Sequence, residues 1–174
     1  VEYRFCNKSI YLFSPDDVEK YRKELNIKEH NDSTIKEDFF EFLEERDYSL
    51  SYKMPFLLAI VKHIDSIGDA KIEEVLDDYI AFYQDRLSRG LQVDRSTCPY
   101  DEKMLKDRKA VQRNMLTNPF EKFERKRFLY YSKDLSVISM NHALFGQMKT
   151  EDWERVRRQM MEDLRKYYDG MGGV

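Results

Sequence analysis

The segment Tyr52-Lys53-Met54-Pro55-Phe56-Leu57-Leu58-Ala59-Ile60-Val61 is apolar nearly all round, and it constrains this chain more than any other stretch. A helix with apolar side chains on every side cannot lie on a surface, so the rest of the chain must supply neighbours around it. Pro55 is compatible with such a helix only in the first turn, where its missing N–H is not needed. One neighbour is legible nearby. Ile72, Val75, Leu76, Tyr79, Ile80, Phe82, Tyr83 and Leu87 recur with a 3.6-residue period up to Gly90, a natural C-terminal stop. Between the two helices, Asp65-Ser66-Ile67-Gly68-Asp69 has turn chemistry, with Gly68 able to take a left-handed backbone and Asp69 able to cap the following helix.

Further helices follow from caps and periods. Ser14-Pro15-Asp16-Asp17 opens a helix over about 15–25, and Asp32-Ser33-Thr34 caps another that buries Ile35, Phe39, Phe42 and Leu43 and turns an acidic face to water. One helix is expected from about Asp101 to Met115. Asn118-Pro119 closes it and caps a short helix running to about Lys126. Phe128-Leu129-Tyr130-Tyr131 and Ser136-Val137-Ile138-Ser139-Met140 read as the only runs rich in aromatic and β-branched residues, joined across Ser132-Lys133-Asp134 as a hairpin. Asn141 starts a short helical turn. Thr150 caps a last helix that packs Trp153, Val156, Met160, Leu164 and Tyr167 along one side, and 170–174 should fray. The expected fold class is therefore mainly α: a compact multi-helix domain with one small β-hairpin near 128–140, winged-helix-like in its middle. It reads as a single domain over 1–174, with an acidic helical N-terminal part over 1–50 and a helical core over 51–169.

With 41% hydrophobic and 36% charged residues and only 6 Gly and 4 Pro among 174, collagen-like, low-complexity and disordered classes are excluded. No run approaches the ~18–20 apolar residues of a membrane span, so no membrane partner is expected. Cys6 and Cys98 stand far apart with no metal-ligand spacing, which points to a reducing, cytoplasmic setting. The chain begins at Val1 with no leader, and we read it as a piece of a longer protein.

Thirty Lys and Arg against 33 Asp and Glu give a net charge of -3, so any polyanion surface must be local. The charge is sorted. From Ser14 to Tyr48 there are 12 acidic residues against 6 basic; from Lys103 to Arg127 there are 9 basic against 3 acidic. Such blocks either neutralise each other or present separate surfaces. The candidate phosphate-binding residues are Lys103, Lys106, Lys109, Arg113, Lys122, Arg125, Lys126 and Arg127, with Lys106, Lys109 and Arg113 spaced to share one helical face. The order of helix, Gly-containing turn, second helix, later helix and two-stranded ribbon is that of a winged-helix domain. Glu73, Glu74, Asp77 and Asp78 on the second helix would repel phosphates, so that helix is not expected to read DNA.

No catalytic residue, metal or cofactor is expected. There is no Gly-Lys-Ser/Thr phosphate loop, no Gly-x-Ser-x-Gly elbow and no His-Glu-x-x-His, and His30, His63 and His142 are scattered. The acidic-x-Lys triplet of metal nucleases occurs as Asp69-Ala70-Lys71, Asp107-Arg108-Lys109 and Glu124-Arg125-Lys126, but all three fall on helical patterns, whereas that chemistry needs a strand.

The strings Ser51-Tyr52-Lys53-Met54-Pro55-Phe56-Leu57-Leu58-Ala59-Ile60, Ile67-Gly68-Asp69-Ala70 and Phe82-Tyr83-Gln84-Asp85-Arg86-Leu87-Ser88-Arg89-Gly90 resemble a helical module found C-terminal to the motor in bacterial DEAD/DEAH-type helicases of restriction and phage-defence systems. Asn118-Pro119-Phe120 and Phe128-Leu129-Tyr130-Tyr131-Ser132-Lys133-Asp134 extend the resemblance, which covers about 51–168. None of these strings is a catalytic motif. The resemblance implies a non-catalytic, nucleic-acid-associated accessory domain whose partners are a nucleic-acid backbone and the parent helicase or complex subunits. The alternatives are a protein–protein interaction module using the acidic 14–48 face, and a cryptic metal-dependent nuclease.

Overall fold

The computed structural model describes residues 2–5, 8–11, 14–25 and 30–171, and the chain divides into two compact units, Val1–Thr34 and Ile35–Val174. In the smaller unit, β1 (Glu2–Phe5) pairs antiparallel with β2 (Lys8–Tyr11), placing Glu2 opposite Tyr11 and Phe5 opposite Lys8. This hairpin was not expected from the sequence, although Tyr3 and Phe5 alternate with Glu2 and Arg4 as a strand requires. Helix α1 (Pro15–Glu24) starts as its caps dictate: Asp17 donates its backbone N–H to Ser14 Oγ at 3.1 Å, and Pro15 takes the first position.

The larger unit is built around α3 (Lys53–His63), whose Met54, Phe56, Leu57 and Ile60 are fully buried. Its neighbours are α4 (Ile72–Ser88) and α9 (Thr150–Met171), so a helix that is apolar on every side has the cover it needs. Pro55 sits in the first turn as the sequence required. Helix α2 (Ile35–Glu44) buries Phe39, Phe42 and Leu43; Phe39 and Phe42 stack edge-on or tilted against Phe128, and Phe42 and Phe56 against Phe123. A second aromatic nucleus joins Tyr52, Tyr79, Tyr83 and Tyr100.

Polar side chains tie the ends together. Asp94 is buried, accepting from the backbone N–H and Oγ of Ser51 at 2.9 and 2.5 Å and from Tyr167 OH at 2.5 Å, and so fastens the start of α3 to α9. Buried Asp163 on α9 accepts from Arg46 at 3.1 Å and from Tyr48 OH at 2.7 Å, while Gln159 donates to the Leu43 carbonyl. Asp94 and Asp163 are thus both hydrogen-bonded, as their desolvation demands.

The sheet corrects the sequence reading. Asp69 does not cap α4; it opens β3 (Asp69–Lys71), which pairs with β5 (Val137–Met140), and β5 pairs with β4 (Leu129–Ser132). The hairpin read from the sequence is present, with β3 added as a third antiparallel strand in the order β3-β5-β4. A strand of three residues is too short to show a period, and it exists because β5 offers it a partner. The hairpin also completes α4, whose first N–H, on Ile72, donates to the Ser136 carbonyl at 3.0 Å. Gly68 adopts φ +93°, and a Cβ there would lie 3.1 Å from the Phe145 ring, so the turn and its packing both require glycine.

The basic segment is also more broken than its pattern suggests. The expected single helix is two, α5 (Glu102–Lys106) and α6 (Arg108–Met115), split at Asp107, whose φ of −93° and ψ of 87° are not helical. Each half has its own cap: Met104 N–H donates to Asp101 Oδ1 at 2.7 Å, and Ala110 N–H to Asp107 Oδ1 at 3.0 Å. Asn118 caps nothing. Leu116–Phe120 is a π-helical turn that carries Pro119 and runs straight into α7 (Glu121–Arg125). The wider turn accommodates the proline, and the Thr117 hydroxyl and Asn118 amide donate to the Arg113 and Asn114 carbonyls at 2.9 and 3.1 Å. Asn141 caps α8 (His142–Gln147) as expected, by accepting from Ala143 and Leu144 N–H. Helix α9 includes Gly170 and Met171; the rest of the expected frayed end, 172–174, and Cys6 lie outside the described residues.

Candidate nucleic-acid interface

The chain runs α3-β3-α4, then α6 through α7, then β4-β5, with β3 paired to the second strand of the hairpin. The segment that leads into this ribbon is 108–127. It is held by Val111, Met115, Phe120 and Phe123, all buried. Lys109 and Arg113 lie one turn apart, about two residues round from Val111 and Met115, and are exposed.

The eight candidate cations do not behave alike. Lys106 is on α5 and pairs with Glu102 at 2.6 Å, so it does not share a helix face with Lys109 and Arg113. Arg125 is held by both oxygens of Glu121, at 3.1 and 2.5 Å. Lys122 pairs with Asp47 at 3.4 Å, an ion pair between the acidic and basic blocks. Lys103, Lys109, Arg113, Lys126 and Arg127 are exposed and have no hydrogen bond or ion pair from their side chains among the described residues. Arg127 takes φ +65° and ends α7, with its N–H on the Glu124 carbonyl at 2.8 Å, so Lys126 and Arg127 stand at the entrance to β4.

The acidic α4 contrasts with this. Arg108 donates to Glu73 at 2.7 Å and to Asp77, and these hydrogen bonds hold its guanidinium above its ordinary pKa. Asp78 accepts from Lys62 and His63 at 2.9 and 2.8 Å. Burial pushes its carboxyl up, but the two hydrogen bonds prevail and hold it below the ordinary range. Glu74 is 3.7 Å from Lys71 and 3.6 Å from His63. Asp85 pairs with Arg89 at 3.2 Å, so all five carboxylates of α4 face cations of the same chain.

Of the acidic-x-Lys triplets, Asp69-Ala70-Lys71 lies on β3, which corrects the helical reading. Its upstream Asp65 accepts backbone N–H groups of Ile67 and Asp69 at 3.0 and 2.9 Å, and among the described residues no group of three or more His, Cys, Asp or Glu side chains is placed to hold a metal ion. Cys98 is a free, half-buried thiol that accepts from Tyr52 OH at 3.3 Å, and burial raises its pKa. Among the described residues no helix is long and apolar enough to cross a membrane.

A polar feature that the charge count passed over lies under the same segment. Lys53, in the first turn of α3, is buried with its ammonium 4.2 Å from the Phe42 ring centroid. A lysine inside an otherwise apolar run was the available signal. The fold and this surface define a mainly helical domain with a small sheet and a cationic segment beside it. Comparison with family models, curated proteins and solved structures finds no match.

Proposed function

We propose that the larger unit is a non-catalytic, nucleic-acid-associated module that holds phosphate backbone with Lys109, Arg113, Lys126 and Arg127, with Lys103 at its margin. The observation that carries this reading is the unpaired state of these exposed side chains on the segment that leads into the ribbon, while Glu73, Asp77 and Glu121 are occupied by Arg108 and Arg125. Unpaired Lys and Arg release counterions on meeting phosphate; cations already matched by carboxylates gain far less. Nothing in the arrangement reads bases, so binding is to backbone and shape. The resemblance of 51–168 to helicase-associated modules supports a place in a larger restriction-type or defence protein.

The test is fluorescence anisotropy with a labelled duplex and a single strand of the same length. Replacing Lys109, Arg113, Lys126 and Arg127 together with Ala should weaken binding at least about tenfold and make the salt dependence shallower by ~0.9 per lost contact. Replacing the paired Lys106 and Arg125 should change affinity less than about twofold; equal losses from both sets reject the assignment.

A second reading, docking to other protein segments, is favoured by one observation in the smaller unit. Val18, Tyr21 and Leu25 recur at helical spacing on α1 and its cap and are exposed. Changing all three to Ser should abolish association with partner segments, measured by gel filtration after nuclease treatment, if that helix docks protein.

A further inference from the structure

Lys53 is 4% exposed, and its ammonium has aromatic neighbours, Phe42 at 4.2 Å and Tyr48 at 5.5 Å, but no carboxylate ion pair among the described residues. Its position is electrostatically unfavourable twice over. It lies in the first turn of α3, the positive end of the helix dipole, and Lys122 is close enough to act on it. Burial first, then Lys122, lowers the Lys53 pKa, with Asp47 and Glu45 acting the other way. A buried lysine without an ion pair is costly, and cation–π contacts offset only part of that cost.

The lysine lines a cavity of about 60 Å³ together with Lys122, Asp47, Leu50, Asn118 and Pro119. That is ~4 times the space a single water requires and too small for a nucleoside. Two features converge on it: lysines on two different elements, one of them the buried first residue of α3, and the π-helical turn that carries Asn118 and Pro119. π-Turns recur at functional sites.

We propose that this cavity binds one phosphate group, either the free ion or a terminal phosphate monoester, between Lys53 and Lys122. The group's double negative charge matches the two ammoniums. Asp47, largely exposed and 3.4 Å from Lys122, yields its place to the anion by turning toward solvent. The site is separate from the exposed cations of α6, which meet internal phosphodiesters, so either can fail without the other.

The experiment is thermal unfolding of the full chain in inorganic phosphate against chloride at matched ionic strength. At ten times the fitted dissociation constant, phosphate should raise the midpoint by about 3–6 °C. Lys53→Met and Lys122→Gln should each lose at least half of that shift; the change at half-buried Lys122 keeps the test decisive if the one at Lys53 prevents folding. No shift in the unmodified chain, or an undiminished shift in the folded variants, overturns the proposal. A short oligonucleotide carried with a 5′-phosphate or a 5′-hydroxyl then separates the sources. Competition with inorganic phosphate by the phosphorylated form alone assigns the site to a polynucleotide end, and its absence assigns it to the free ion.

Discussion

Helix α4 and the α6–α7 segment carry similar densities of charge of opposite sign, yet α4 has spent its charge internally and α6–α7 only in part. Glu73, Glu74, Asp77 and Asp78 meet Arg108, Lys71, Lys62 and His63, supplied by three other elements. On the basic side, Lys106 and Arg125 are matched by carboxylates four residues away, and Lys109, Arg113, Lys126 and Arg127 are left exposed. Net charge along a sequence therefore overstates the charge available to a partner, and pairing decides which cations count.

The contrast can be broken at its foundation. Phe123 is fully buried under α7 and contacts the rings of Phe42 and Phe56; Phe123→Ala should cost ~3–5 kcal/mol in urea unfolding and remove the surface that presents the cations. Less drastic is the fourfold replacement of Lys109, Arg113, Lys126 and Arg127, worth at least about 1.4 kcal/mol of binding with unfolding unchanged. Next comes acid. Asp78 titrates below its ordinary value of 3.8 in the folded protein, so the folded state binds its proton less readily than the unfolded chain. That stability is fully present above the ordinary value and is lost as pH falls below it through the lower folded value; Asp78→Asn should flatten the acid limb of a pH–stability curve by ~0.5–1 kcal/mol. Smallest is Arg108→Ala. Its exposed pairs contribute ~0.5 kcal/mol or less, but the change frees Glu73 and Asp77, and duplex affinity should fall slightly at low salt and not at high salt.

Much of the fold was legible residue by residue. Pro55 in a first turn, Gly90 after a periodic run, Asn141 as a cap and the ribbon flanking Lys133-Asp134 all rest on interactions within a few residues, and each is present as read. The candidate interface was legible in part. The i,i+4 pairs Glu102–Lys106 and Glu121–Arg125 were written in the sequence, although a count of basic residues treats both cations as free. Lys122–Asp47 and Arg108 with Glu73 and Asp77 were not, because their partners lie 75, 35 and 31 residues away. Asn118-Pro119 has the chemistry of a helix start, and a π-turn beneath a continuous helix overrode it.

The sequence by itself determined where most helices lie, which faces they bury and that the core must surround 52–61, because caps and periodicity act over a turn or two. Tertiary structure decided that Asp69 is in a strand, that the basic helix breaks at Asp107, which cations remain unpaired and that Lys53 faces a cavity. Those outcomes depend on atoms brought together from distant parts of the chain, and only packing sets the distances over which charges and hydrogen bonds act.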